Sequence, residues 1–542
     1  MMKLYHKLIL ALVIFAATVF FLISCSVIPP IEVPLTLAPT RGTISVVDAA
    51  TGAQLEGVKA SVKIRAYGQG NNIVTVLLSY PPTDGNFRVF ETETGLVSFG
   101  LDETEASAAN PVDFLVKVEA PGYISTSKPF TLDQTLNPAV TVSLVKTDPE
   151  ATPEGVSTVT NDDVQVDASG TTQQEVVIDT PTENQGDPSL EVEIPAGTTL
   201  LDNSGQPVRG TITTEVTLFN NQAEGSVDAF PGGLSNVEVR QQGNTMADGS
   251  FVTAGFVAMD MRNEQGQEVT NFSEPITMTV EIDPNTINPE TGQAIKHGDI
   301  IPVWSYNENT GEWKYETQGT VEGPDADGNY VISYQASHLS YWNLDWFWTQ
   351  YCSRSRRINI QGNANNLWLD YKLYFTSGDL LTYWQTVNDY SQDNFLEFFY
   401  APVGIPMRMK AFATLADGSQ KEVGHVDIDN LCGTGALNLN LDLSSIPQVV
   451  NLNVDVTVTI NCSGLTGKVR PDLQIWYKPK GTRRWLDAGW MQDGKLTIYG
   501  VYTNTDYDIK VDVEGVTYTG EYRTGSSTNV VINEALPSDY CP

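Results

Sequence analysis

Apolar and polar residues alternate along much of this chain. In residues 451–460, NLNVDVTVTI, Leu452, Val454, Val456, Val458 and Ile460 fall on one side and polar residues on the other. In residues 437–445, LNLNLDLSS, Leu437, Leu439, Leu441 and Leu443 do the same. Period-two alternation predicts half-buried strands of antiparallel sheets. Asp-Gly pairs at Asp84-Gly85, Asp417-Gly418 and Asp493-Gly494 separate such runs and predict hairpin turns. No amphipathic helical stretch of useful length follows the N-terminal segment. Many short strands without helices predict an all-β chain of tandem antiparallel β-sandwiches, strung in a row as a rod. At 542 residues the chain exceeds one core, and three to five domains are expected.

The N-terminus departs from this pattern. Lys3 and Lys7 precede an uncharged apolar run, residues 8–23. The run is shorter than the roughly 20 residues of a spanning helix and carries its basic flank on the N-terminal side, as an export signal does. Leu22-Ile23-Ser24-Cys25 follows directly and resembles the lipobox of bacterial lipoproteins. That resemblance implies cleavage after residue 24 and acylation of Cys25, so the partner of the mature N-terminus is membrane lipid. Ser26, rather than Asp, implies the outer membrane in a cell with two. Residues 25–41 contain Pro29, Pro30, Pro34 and Pro39 and read as an extended tether.

Four units follow. Residues 42–147 hold GTISVVDAATGAQLEGVKASVKI and VDFLVKVEAPGYISTSKPFTL. With Asp48, Thr51-Gly52, Gly57 and Pro121-Gly122-Tyr123, they resemble carboxypeptidase regulatory-like domains, which are small, non-catalytic transthyretin-like sandwiches. TDPEATPEG reads as a linker. In residues 156–350, EVEIPAGTTLLDNSGQPVRGTITTEVTLF, IIPVWSYNENTGEWKYE and the closing HLSYWNLDW resemble ZU5-type sandwiches, including those of cartilage intermediate layer proteins. The sequence between those strips is less distinctive. Residues 351–446 form a third sandwich. Residues 447–542 resemble a transthyretin-like or fibronectin-like (Ig-like) one.

Charge narrows the partners. The chain has 31 Lys and Arg against 66 Asp and Glu, a net charge of −35. Such a surface repels nucleic acid at long range. Acidic clusters read mainly as solvated loops and strand faces, though calcium is left open; residues 323–331, GPDADGNYV, read as a hairpin turn because they lack the further ligands of a calcium loop. After Cys25 come Cys352, Cys432, Cys462 and Cys541. Three pairings are open. The near-equal intervals favour Cys352–Cys432 and Cys462–Cys541, one staple in each of two successive domains, in an oxidising compartment. No two Cys have metal-ligand spacing, and the four His are scattered, so no metal and no cofactor are expected.

Two segments carry candidate chemistry. Residues 337–346, SHLSYWNLDW, contain the His-Leu-Ser arrangement at which some ZU5 and related domains cut their own chain. By that resemblance Ser340 would attack the carbonyl of Leu339, with His338 as base and a strained peptide between. The alternative is a buried final strand, with His338, Ser340 and Trp342 on one face and Leu339, Tyr341 and Asn343 on the other. In the last unit Trp476, Trp485, Trp490 and Tyr502 are candidates for a ligand-stacking platform. Trp476 and Tyr477 are neighbours, so only one of them can face a core. No G-x-S-x-G elbow, P-loop or HExxH is present. The composite expectation is a non-enzymatic, lipid-anchored envelope protein for binding, adhesion or architecture, with a protein or glycan ligand. A carbohydrate-binding accessory lipoprotein and a self-cleaving protein are the alternatives.

Overall fold

The computed structural model describes residues 37–535 except 68–71, 183, 238, 242–243, 246–248, 363–366, 390–394, 399–400, 463–464, 514–515 and 526–527. Strand accounts for 58% of the residues and helix for 2%, which makes the chain all-β. Its sheets are mostly antiparallel and group into four successive sandwich units, residues 40–144, 156–348, 351–440 and 449–535.

The alternation seen in sequence is realised as burial. Met407–Thr414, MRMKAFAT, buries every second residue, and Leu190–Ile194, LEVEI, does likewise. The apolar face of each strand turns to the facing sheet and the other to its surroundings. Val449–Cys462 is the strand that NLNVDVTVTI predicts. LNLNLDLSS yields a shorter one, Leu437–Asn440, of which Leu439 is fully buried.

Three units share one strand plan. In the first, Thr40–Asp48 lies between antiparallel Leu96–Leu101 and parallel Val140–Leu144. The facing sheet runs Phe87–Thr92, Ala60–Ala66, Val112–Glu119, Thr126–Leu132. The third unit repeats this with Ile358–Gln361 between Phe395–Leu396 and parallel Leu437–Asn440. The fourth repeats it with Val449–Cys462 between Lys495–Tyr502 and parallel Asn529–Ala535. The closing strand returns beside the opening one in the same direction, which only a crossover from the other sheet permits.

The second unit is larger, with a nine-stranded sheet packed on a five-stranded one. Its long strand Gly249–Asn263 is buried at almost every position, between Thr211–Phe219 and Tyr341–Trp348. Burial on both faces erases the alternation, which is why this stretch carries little signature in sequence. The connection from the first unit is ordered: Asp148 caps a short 3-10 turn, Pro149–Ala151, by accepting the Glu150 N–H at 3.1 Å.

The rod expected from the sequence is not what the units build. Each touches two others, and the chain closes on itself. The first meets the second where Tyr341 donates to the Ser125 carbonyl at 2.6 Å and the Ser127 and Tyr306 hydroxyls lie 2.9 Å apart. The second meets the third through Glu224, which takes Lys372 at 2.6 Å and Tyr374 at 2.7 Å. These two units also share one continuous apolar core, from Val145 to Leu439. The third meets the fourth where Tyr502 donates to the Thr414 carbonyl at 2.7 Å. The fourth then returns to the first. Trp490 Nε1 donates to the Asn137 carbonyl at 3.1 Å, the Ala139 N–H donates to Asp487 at 2.9 Å, and Arg41 lies over the Trp490 ring. Alternation within a strand carries no information about which polar faces meet, so the sequence reading had no means of detecting this closure.

Candidate functional site

The stretch around His338 is not one strand. Tyr330–His338 belongs to the five-stranded sheet and Tyr341–Trp348 to the nine-stranded sheet, and the chain crosses between them at Leu339 and Ser340. His338 pairs with Asn271, while Tyr341 pairs with Ala258 and Tyr306. The single-strand expectation, with its shared faces, is therefore corrected. The expectation of burial on both sides holds beyond the crossing: Trp342, Asn343, Leu344, Asp345 and Trp346 are all buried.

The crossing decides what the candidate nucleophile touches. The Ser340 hydroxyl donates to the Tyr306 carbonyl at 2.7 Å and accepts the Tyr306 N–H at 3.1 Å. It thereby continues the pairing of two strands across their join. The His338 ring faces two acceptors, Nε2 to Glu316 Oε1 at 3.2 Å and Nδ1 to the Leu339 carbonyl at 3.3 Å. It packs against Trp342, centroids 4.9 Å apart. Neither nitrogen is turned to the Ser340 hydroxyl, whose proton lies on Tyr306. Glu316 anchors this group. Burial pushes its carboxyl up, but bonds from His338, Lys314 and Ser305 outweigh that and hold it at about 2. Sequence reasoning missed Glu316, which sits far from the motif in the chain.

His338 and Ser340 open onto a cavity of about 1010 Å³ between the first and second units. Its walls include Lys59, Lys117 and Glu119 from one side and Asp260, Glu308 and His338 from the other. Burial pushes the Glu308 carboxyl up against the influence of Lys117 and of Ser125, which donates to it at 3.2 Å. Burial and the nearby Asp260 push Glu215 up as well. The cavity holds carboxyls of unequal acidity beside a His, but no base aligned on a hydroxyl nucleophile. Among the described residues no group of three or more His, Cys, Asp or Glu is arranged to hold a metal ion.

The aromatic candidates of the fourth unit do not form one exposed platform, and that expectation is corrected. Trp476 is 3% exposed and Tyr502 4%. Ile475 and Tyr477 point into the unit's own core, which sends Trp476 to the opposite face. There it lies beside its cross-strand neighbour Lys510, which reaches Gln54 and Glu56 of the first unit. Trp490 is held by Asn137 and Arg41. Trp485 lies half-buried under Lys478 and Lys510, 4.8 and 4.4 Å from its ring centre. The aromatic rings serve the joints between units.

Tyr502 has a second relation. It lines a cleft of about 420 Å³ where the third and fourth units meet beside Thr51 of the first. Trp368, Gln420, Arg483 and Arg484 line the same cleft. The sequence reading passed over these residues. The available signal was KPKGTRRW, a basic run in a strongly acidic chain.

Cys352 and Cys432 are joined by a disulfide, with Cα atoms 5.7 Å apart. Cys25 and Cys541 lie outside the described residues, as does the side chain of Cys462, so the second bridge and the acylation site have no structural counterpart here. The segment 323–331 is not the hairpin the sequence suggested: it carries the chain from Glu312–Thr320 of the nine-stranded sheet to Tyr330–His338 of the five-stranded one, closed by a single Glu322–Val331 bridge, and Asp325 accepts the N–H groups of Asp327, Gly328 and Asn329 at 2.8–3.0 Å. Those bonds to the backbone are what a turn carboxylate makes.

No family model matches the sequence, and no curated protein matches it. Among solved structures, the Bacillus anthracis TIE protein is similar over 71% of this chain at 10% identity, with a TM-score of 0.13. This chain spans 58% of that protein's length. The Streptococcus pyogenes major pilin is similar over 34% of this chain and 99% of its own, at 11% identity and a TM-score of 0.10. Domains 4–9 of the surface layer protein SbsC are similar over 93% of this chain and 84% of theirs, at 9% identity and a TM-score of 0.08.

Proposed function

We propose that the chain is an exported, lipid-anchored binding protein of the bacterial envelope, in which four sandwiches act as one stiff body and no reaction is catalysed. The observation that carries this reading is the closed circuit of interfaces. A body locked at every joint presents its inter-unit clefts ready-made, and ligand sites concentrate at such domain interfaces. The Cys352–Cys432 bridge supports an oxidising compartment. The lipobox-like Leu22-Ile23-Ser24-Cys25 supports anchorage through Cys25, and Ser26 in place of Asp supports an outer-membrane address in a cell with two membranes. The test is expression of the full chain in a bacterium with two membranes, followed by mass measurement of the mature N-terminal peptide. An acylated Cys25 and a Cys25→Ser variant released from the membrane fraction are expected. A soluble mature protein with unmodified Cys25 would overturn the anchorage.

The second reading is carbohydrate binding. It is favoured by the 420 Å³ cleft, where the half-buried Trp368 stands with Arg483 and Gln420. A few polar groups beside aromatic walls suit a sugar ring. A glycan array probed with the full chain tests it, and retention of no glycan would remove it. A chain cut between Leu339 and Ser340 is the reading the geometry supports least, because Ser340 is engaged with Tyr306 and not with His338.

A further inference from the structure

We propose that the cleft shared by the first, third and fourth units takes a carboxylate-bearing saccharide, with the Arg483 guanidinium receiving the carboxylate. This rests on the carbohydrate-binding reading and names its substrate class.

The starting point is charge. With 31 basic residues against 66 acidic ones, a cation here ordinarily finds a carboxylate. The neighbours of Arg483 do so. Lys478 lies 3.9 Å from Asp508, Lys480 2.7 Å from Glu521 and Arg484 3.5 Å from Asp370. Arg483 is exposed at the cleft wall and, among the described residues, meets no carboxylate. A guanidinium presents a planar fork that matches a carboxylate with two parallel N–H···O bonds.

The rest of the wall suits a sugar ring. Trp368 lines it half-buried, whereas the cleft's tyrosines, Tyr477, Tyr502 and Tyr507, are buried. The Gln420 amide is fixed by donating to Asp370 at 2.6 Å, and the same carboxylate faces Arg484. That leaves the Gln420 carbonyl end as an acceptor for a ligand hydroxyl. The volume lies in the range of small-ligand clefts, about 300–1,000 Å³.

The position of Arg483 is buttressed. The Thr482 N–H and hydroxyl both donate to the Pro479 carbonyl, at 3.1 and 2.8 Å, and its own carbonyl accepts the Lys478 ammonium at 2.9 Å. These bonds fix the loop one residue before the guanidinium. The Asp417-Gly418 turn of the third unit lies alongside, close enough that a Cβ on Gly418 would meet Thr482. The strongly negative surroundings repel polyanions, so the expected ligand carries isolated carboxylates on short sugars rather than a dense run of charge.

The experiment is calorimetric titration of the full chain with di- and trigalacturonate, sialyllactose and neutral oligosaccharides of equal length. Arg483→Ala and Arg483→Lys are run in parallel, with thermal unfolding as the control that both remain folded. The expected result is binding of at least one acidic saccharide, weakened by salt, and about tenfold or more weaker in Arg483→Ala. Partial recovery in Arg483→Lys is expected. The galacturonate and sialyl arms identify the source of the carboxylate. Equal binding of neutral and acidic sugars, or an Arg483→Ala variant that binds as wild type, would overturn the proposal while leaving carbohydrate binding standing. Binding of neither class would overturn both.

Discussion

The Lys510 ammonium of the last sandwich lies 2.8 Å from the Glu56 carboxylate of the first, with 454 positions of chain between them. Its side chain is 1% exposed, while that of Glu56 is 57% exposed. Gln54 accepts from the same ammonium and the Trp485 ring lies beneath it. The pair closes the circuit of units at a point where one charge is wholly dry.

That asymmetry separates two variants. Glu56→Ala leaves a buried ammonium short of a partner and is expected to cost about 1–3 kcal/mol. Lys510→Met removes the buried charge and keeps the stem's packing, so it is expected within about 1 kcal/mol of wild type. Urea unfolding of both measures this. A larger loss for Lys510→Met than for Glu56→Ala would contradict it.

Asp345 is fully buried, and among the described residues no well-formed hydrogen bond reaches either carboxyl oxygen. Burial pushes its carboxyl well above the usual carboxylate range, against a weaker opposing pull from the nearby Thr253 hydroxyl. The folded chain therefore keeps a proton there that the unfolded chain releases above about pH 4. Stability from this group falls as pH rises from that point toward the folded pKa. Asp345→Asn is expected to be more stable than wild type at pH 8, and its advantage to shrink by up to about 1.4 kcal/mol per pH unit on acidification. Denaturation midpoints at pH 5, 6.5 and 8 check this. An advantage that is flat with pH or grows toward acid would refute it.

Ser340 joins two strands through the Tyr306 backbone. Ser340→Ala is expected to cost about 1–3 kcal/mol, because it strands a carbonyl and an N–H that are otherwise paired. Wild type and variant are both expected as a single uncut polypeptide by mass spectrometry of doubly tagged chain. Two fragments meeting at Ser340 in wild type and none in the variant would establish self-cleavage instead.

The Cys352–Cys432 bridge spans 80 positions of the third unit. In the chain-entropy account a loop of that length is worth about 4.5 kcal/mol. Cys352→Ala/Cys432→Ala is expected to lose that order of stability, and reductant to mimic it in wild type. Unfolding that is indifferent to reductant would show that the bridge contributes nothing.

Much of the local structure was legible. NLNVDVTVTI became a strand of the fourth unit because a half-buried strand needs that alternation. The bridge between Cys352 and Cys432 was legible from cysteine spacing. The nine-stranded sheet was not, because Gly249–Asn263 is covered on both faces and carries no alternation. The common plan of the first, third and fourth units was also hidden. It lies in strand order and direction, which different side chains satisfy equally well. Tyr502 was singled out as an exposed ring and is buried, since its hydroxyl reaches Thr414 of the neighbouring unit.

By itself the sequence determined the class of structure, the rhythm of its strands, the acidity of its surface and one of its covalent staples. Those properties depend on residue type and on spacing between near neighbours, where period-two geometry acts directly. Only the tertiary structure decided that Lys510 would meet Glu56, that Ser340 would turn its proton to Tyr306, and that Arg483 and Trp368 would line one cleft. These are meetings of side chains far apart in sequence. The packing of one sandwich against the next fixes them, and no local pattern encodes that packing.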